Sequence, residues 1–201
     1  MKALYFILIT LNFSCRIIPA TSNVFLKSEI DSYGLRNGDT LVDIGCGDGL
    51  HSTFVSHFYP NSYFVLEDLD TSKVGQIANS KTEFYKYIRE RHIVVLGKSD
   101  SIPLLSLSYK FLLCRKTLHE FTNKSKMIQE MNRILVASGR LIIVEVEPIN
   151  EGEVDSYCKK VLMTKEIIID LVERENFIFL NAAEIKVKKD RKLAVLIFEK
   201  L

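Results

Sequence analysis

The stretch Asp43-Ile44-Gly45-Cys46-Gly47-Asp48-Gly49 decides the fold. Thr40–Ile44 is a short apolar run bounded by turn residues, and Leu50–Tyr59 sets its apolar residues at helical spacing, so the glycines form a strand-to-helix turn. Glycine permits a tight turn and admits a ligand where a Cβ would clash, while the following helix presents free N–H groups. Such turns also serve purely structural ends. At the carboxyl end of a strand, however, a nucleotide-type ligand is the expected occupant. The dinucleotide fingerprint is GxGxxG, whereas here the third glycine follows one residue after the second and position 50 is Leu. That spacing argues against a nicotinamide dinucleotide.

Outward from this turn the pattern alternates. Tyr63–Leu66, His92–Leu96, Phe111–Cys114 and Leu141–Val146 read as further strands, and the spacing predicts a long helix over Thr71–Arg91. Met127, Ile128, Met131, Ile134 and Leu135 share one helix face, which covers the sheet. Near-continuous apolar strands separated by helices imply an α/β, doubly wound, mostly parallel sheet buried on both sides. The end of the chain differs. Phe177–Ala183 and Leu193–Phe198 flank the charged stretch Lys186–Lys192 without room for a crossover helix, so they should pair as an antiparallel hairpin. Seven strands result.

A length of 201 residues with 47% hydrophobic content suits one domain, assigned to residues 22–201. A formal charge of +2 gives no general reason to bind nucleic acid or anionic lipid. Cys15, Cys46, Cys114 and Cys158 make no CxxC pair, so neither a zinc site nor a redox dithiol is signalled, and they read as free thiols. Residues 1–21 pair Lys2 with an apolar run, Ala3–Leu11, too short to span a bilayer. This segment reads as a signal peptide or lipoprotein leader, with membrane attachment only through an N-terminal lipid anchor; the other readings are a helix or strand packed on the domain and a start codon placed too far upstream.

At the end of the second strand stands Glu67-Asp68-Leu69-Asp70. An acid there can accept both hydroxyls of a ribose, although a solvated acidic strand end is common. With this acid in place, the span from about Ile30 to Pro148 resembles a class I S-adenosylmethionine (SAM)-dependent methyltransferase. The resemblance implies SAM as cofactor, a Rossmann-like methyltransferase fold, and a small-molecule methyl acceptor. It also implies binding roles for Asp43, Gly45, Cys46, Gly47 and Gly49 in the first turn. Asp68, with Glu67 as the nearby alternative, falls at the ribose position, followed by Leu69. Gly97–Pro103 resembles the adenine loop, with Ser99 or Asp100 as contacts because Lys98 stands where relatives often have Asp. Tyr109–Phe121 resembles the fourth strand and the loop over the methionine part, including Cys114, with Lys110 as a second departure. Arg133–Val144 resembles the family's helix, turn and fifth strand, with Gly139 as the turn.

His51, His57 and His92 read as packing or surface residues. His119, after the fourth strand, is the candidate general base, since a His-acid pair at this place serves related O-methyltransferases, and Glu120 is its expected partner. Its other reading is a loop-packing histidine. The segment before Thr40, the loop Lys116–Asn123 and the segment Glu147–Thr164 are expected to set acceptor specificity. In the last, Tyr157, Cys158, Lys159 and Lys160 are either acceptor contacts or surface loop. Two other functions stay open: SAM binding without turnover, and a nucleotide-dependent oxidoreductase, which the glycine spacing disfavours.

Overall fold

The structure, a computed structural model, describes residues 20–70, 72, 86–188 and 191–201. The leader expected over residues 1–21 lies outside the described residues up to 19, and so does most of the helix expected over Thr71–Arg91. The strands are β1 (Thr40–Ile44), β2 (Tyr63–Asp68), β3 (His92–Leu96), β4 (Tyr109–Arg115), β5 (Leu135–Val146), β6 (Phe177–Lys188) and β7 (Arg191–Lys200). The helices are α1 (Ala20–Ser32), α2 (Leu50–Phe58), the single turn α3 (Lys86–Arg89), α4 (Lys124–Ile134) and α5 (Lys165–Glu173).

All seven strands form one sheet in the order β3-β2-β1-β4-β5-β7-β6. β1 pairs parallel with β2 on one side and β4 on the other, so the strand order reverses between β1 and β4 and leaves a crevice at their carboxyl ends. β7 runs antiparallel to both β5 and β6, the hairpin expected from the sequence. The hairpin reaches further than expected, because the charged residues flanking its turn continue the ladder: Lys192 bonds Glu184 across the two strands, and Lys165, at the start of α5, bonds the same carboxylate.

Side-chain alternation splits the core in two. Val42, Ile44, Leu112, Cys114, Leu141 and Ile143 face α4 and α5, while Leu41, Leu113, Ile142 and Val144 belong to the cluster that holds Ile30 and Tyr33 of α1 and Val55 of α2. α4 starts at Asn123, whose side chain accepts the Lys126 N–H, and buries Met127, Ile128, Met131 and Ile134. Leu135, expected on that helix, instead caps it and opens β5. The turn expected at Gly139 is a bulge inside β5. Register jumps from Tyr109↔Leu135 to Phe111↔Arg140, and Ser138 takes a φ of 56°. A Cβ on Gly139 would come 2.8 Å from the Val136 carbonyl oxygen, so the bulge selects glycine.

Ile143 is wholly buried between β4 and β7, whereas Ile178 is 44% exposed on the edge strand. Ile143→Ala should therefore lower stability by about 2–5 kcal/mol and Ile178→Ala by less than about 1 kcal/mol, read as urea midpoints at unchanged slope. Equal losses would contradict this placement of the core.

Candidate functional site

The turn after β1 carries its strain on glycine: Gly45, Gly47 and Gly49 have φ of 68°, 58° and 69°. Gly45 and Cys46 both donate their N–H to the Glu67 carbonyl, at 2.8 and 3.0 Å, and the Thr117 hydroxyl donates to the Gly45 carbonyl at 3.1 Å. β1, β2 and the loop after β4 are thus stitched together at one residue. A Cβ on Gly45 would lie 2.2 Å from Thr117 Cγ2, while Gly47 faces open space. Gly49 caps α2 in the left-handed conformation without a side-chain cap.

Two cavities meet at Gly45. The smaller, about 170 Å³, is lined by Glu67, Asp68, Leu69, Lys98, Ser99 and Thr117 together with residues of the loop that leads into α4. Asp68 Oδ2 accepts the Gly47 N–H at 2.8 Å and Oδ1 the Asp70 N–H at 2.9 Å, which fixes the carboxylate at the cavity wall. Glu67 is buried behind it, accepting from the Gly45 N–H at 3.3 Å. Burial, with Asp68 and Asp43 nearby, pushes its carboxyl up to about 7. Ser99 reaches this cavity and Asp100 does not. The loop between them and α4 is clamped: Arg133 donates to the carbonyls of Ile102 and Leu104, and Glu130 accepts the Ile102 N–H.

The larger cavity, about 440 Å³, has an apolar wall of Phe25, Leu26, Phe54, Ile185, Val187 and Leu193. Asp43, Cys46, Asp48, His51, Arg115 and Lys116 supply its polar side. Asp43 is buried and accepts from the Ser52 hydroxyl at 2.6 Å; burial pushes its carboxyl up to about 6. The segment before Thr40 and the loop from Lys116 reach the cavities. The segment Glu147–Thr164 lines neither, and Tyr157 is 91% exposed on it.

Cys114 requires a correction. It was expected beside the cofactor but is wholly buried in the core under α4, because strand alternation turns residues 112 and 114 to that face. The same alternation turns Arg115 the other way, toward α1, where it meets a buried network that sequence reading missed. Arg115 Nε and Nη2 donate to the two Glu29 oxygens at 2.5 and 3.0 Å. The Tyr33 hydroxyl donates to Glu29 at 2.7 Å and lies 2.8 Å from His51 Nε2, which acts as donor there. Burial and the Arg115 charge push the His51 imidazole well below its usual range, so it stays neutral at neutral pH. Burial alone would raise Glu29, yet the hydrogen bonds and charge of Arg115 overcome it and hold the carboxyl at about 2.

His119 is buried and lines neither cavity. Its expected partner was Glu120; the structure gives it Glu145 instead, whose Oε2 lies 2.7 Å from Nδ1. Glu120 Oε1 is 4.0 Å from Nε2 and faces the smaller cavity. Glu145 sits on β5, on the face that alternation turns toward the loop after β4. Burial by itself would lower the His119 pKa, and the Glu145 carboxylate more than offsets it, leaving the ring above its ordinary value.

Because Glu29 ionises lower in the folded chain than when unfolded, its stabilisation is present above about pH 4.5 and is lost as pH falls toward about 2. Asp43 and Glu67 are raised and act in the opposite sense, so the test is a difference between proteins. Glu29→Gln leaves the Arg115 charge uncompensated and should cost about 3–5 kcal/mol near neutral pH. The gap to wild type in chemical denaturation should narrow as pH is lowered from about 5 toward about 2. A constant gap would mean that packing, not the ion pair, sets the loss.

Residues 42–143 match the family model described as a methyltransferase domain. Over 117 residues the chain is 27% identical to the ubiquinone/menaquinone biosynthesis C-methyltransferase UbiE of Hahella chejuensis, covering 58% of this chain and 46% of that protein. The chain thus spans about half the length of this curated relative. Among solved structures, a SAM-dependent methyltransferase from Aquifex aeolicus superposes with a TM-score of 0.72 at 18% identity, covering 90% of this chain and 93% of that one. The cyclase SpnF superposes with a TM-score of 0.74 at 14% identity, covering 89% and 81%. The matched domain spans half of the chain and contains the glycine turn, the acid ending β2 and the switch between β1 and β4, and on that basis the chain belongs to the class I SAM-dependent methyltransferase family.

Proposed function

We propose that this chain transfers the methyl group of SAM to a small, largely apolar acceptor held in the larger cavity. The observation that carries the reading is the junction of two chemically different cavities at Gly45, one bordered by the acid that ends β2 and the other walled by apolar side chains.

The residues present fit the cofactor. Asp68 keeps lone pairs free for two ribose hydroxyls, Leu69 offers an apolar surface for adenine, and Ser99 a polar contact at its edge. Gly47 leaves the space that a Cβ would fill. Asp43 and Asp48 suit the ammonium of the amino-acid end, and Lys116 its carboxylate. The bound group supplies a methyl that is already activated.

What the protein then contributes is position. Phe25, Leu26, Phe54 and Val187 exclude water and orient the acceptor, and orientation of this kind supplies on the order of 7–11 kcal/mol of the barrier. The neutral His51 adds no charge to repel a sulfonium. A base is needed only for an acceptor that must lose a proton, and His119 stands outside both cavities. Among the described residues no helix is long and apolar enough to cross a membrane.

The cyclase SpnF carries the same fold, so binding and turnover are tested separately. Asp68→Ala should weaken SAM binding by about 1.5–3 kcal/mol in calorimetry. Unchanged affinity would remove Asp68 from the ribose. Val187→Trp, which fills the larger cavity, should lower transfer of labelled methyl to a metabolite pool by about 10²-fold while SAM affinity holds. Binding by the wild type without transfer to any acceptor would leave SAM binding without turnover as the function.

A further inference from the structure

The loop between β5 and α5 folds back on itself: Val154 and Val161 form an antiparallel bridge, and Asp155 Oδ1 accepts the N–H groups of Tyr157 and Cys158. This small hairpin presents Cys158 toward the turn after β4. There a ring nitrogen of His119, a carboxylate oxygen of Glu120 and Cys158 Sγ lie within 4.8 Å of one another, and Nε2 is 4.0 Å from Glu120 Oε1. Neither cavity includes Cys158.

We infer that His119, Glu120 and Cys158 form a Zn²⁺ site that ties the 154–161 hairpin to the turn after β4. The His119 ring is the first support. It is only 5% exposed, its Nδ1 is engaged by the buried Glu145, and its Nε2 faces Glu120 Oε1 at 4.0 Å, beyond hydrogen-bond length. A carboxylate on one imidazole nitrogen fixes the tautomer and aims the other nitrogen at a metal, the arrangement that accompanies most metal-bound histidines. Glu145 holds a second grip on the same residue through the His119 N–H at 3.3 Å, so the ring cannot readily turn away.

The donor set is the second support. One imidazole nitrogen, one carboxylate oxygen and one thiolate match the borderline-soft character of Zn²⁺ and exclude Mg²⁺ and Ca²⁺, which take oxygen ligands. Tetrahedral bonds of about 2.0–2.3 Å place ligand atoms about 3.3–3.8 Å apart, so the present cluster needs to close by roughly 1 Å. Glu120, at the surface, and Cys158, whose thiol is held by Asp155 and the Lys160 backbone on the hairpin, are the members that must shift, the thiol exchanging the Asp155 contact for the metal. Cys158 binds as the thiolate, its proton leaving to solvent, and three protein ligands leave the fourth position to water or another small donor. Of the three ligands only Glu120 lines a cavity, the smaller one, so the site borders the donor position and lies apart from the acceptor position.

The test uses the full chain, stripped with a chelator and titrated with Zn²⁺ alone, with no SAM present, so its outcome is independent of methyl transfer. One Zn²⁺ per chain is expected. Co²⁺ should give a near-ultraviolet thiolate-to-cobalt band. Cys158→Ala should abolish that band and weaken Zn²⁺ binding by about ten-fold or more, and Glu145→Gln by about 10–100-fold. Cys46→Ser, which removes the thiol in the larger cavity, should leave both readouts unchanged. Should the Glu145 variant fail to fold, the loop variant Cys158→Ala still decides. Absence of stoichiometric Zn²⁺ binding, or a cobalt band that survives Cys158→Ala, would overturn the inference.

Discussion

Everything functional in this chain depends on how closely the backbone at Gly45 is gripped. Its N–H is committed to β2, its carbonyl to Thr117, and its missing Cβ is the space that Thr117 occupies. The reversal of strand order opens a crevice in any fold of this type, but this contact determines where the two cavities join. A side chain here would push apart β1 and the loop after β4 at the one point that both cavities share.

Carboxylates crowd this junction. Asp43, Glu67 and Asp68 approach one another from β1 and β2, and burial pushes the first two upward. Against these three and Asp48 stand Lys98, beside the smaller cavity, and Arg115 and Lys116, at the end of β4, and Arg115 is already committed to Glu29. The floor of the site therefore retains an excess of acid. A cationic sulfonium is the kind of ligand such a floor accepts without a dedicated partner.

Much of the architecture was legible because the strands are nearly continuous apolar runs and the glycine turn is local in sequence. The hairpin could be read from the lack of room for a helix between its strands. The boundaries were harder. Leu135 continues the helical spacing of α4, and only the tertiary demand for pairing beside β4 makes it a strand residue. That Asp68, Leu69 and Ser99 line the smaller cavity was legible because they end or follow strands at their carboxyl ends. Cys114 was misplaced because its neighbour, not itself, faces the crevice. The network of Glu29, Tyr33, His51 and Arg115 was invisible for a different reason: α1 and the end of β4 lie far apart in the chain, and no spacing rule connects them. The exchange of Glu120 for Glu145 beside His119 has the same origin, since adjacency in sequence is a poor guide to contact on a tight turn.

Apart from Phe54 of α2, the apolar wall of the larger cavity comes from segments that precede β1 or follow α5. Phe25 and Leu26 come from α1, and Ile185, Val187 and Leu193 from the last hairpin, whereas the smaller cavity is made wholly from the middle. Under the proposed function, the choice of acceptor is thus physically separable from possession of the donor. Substitutions at Phe25, Leu26, Ile185, Val187 or Leu193 would reshape the acceptor wall without touching a residue that borders the smaller cavity.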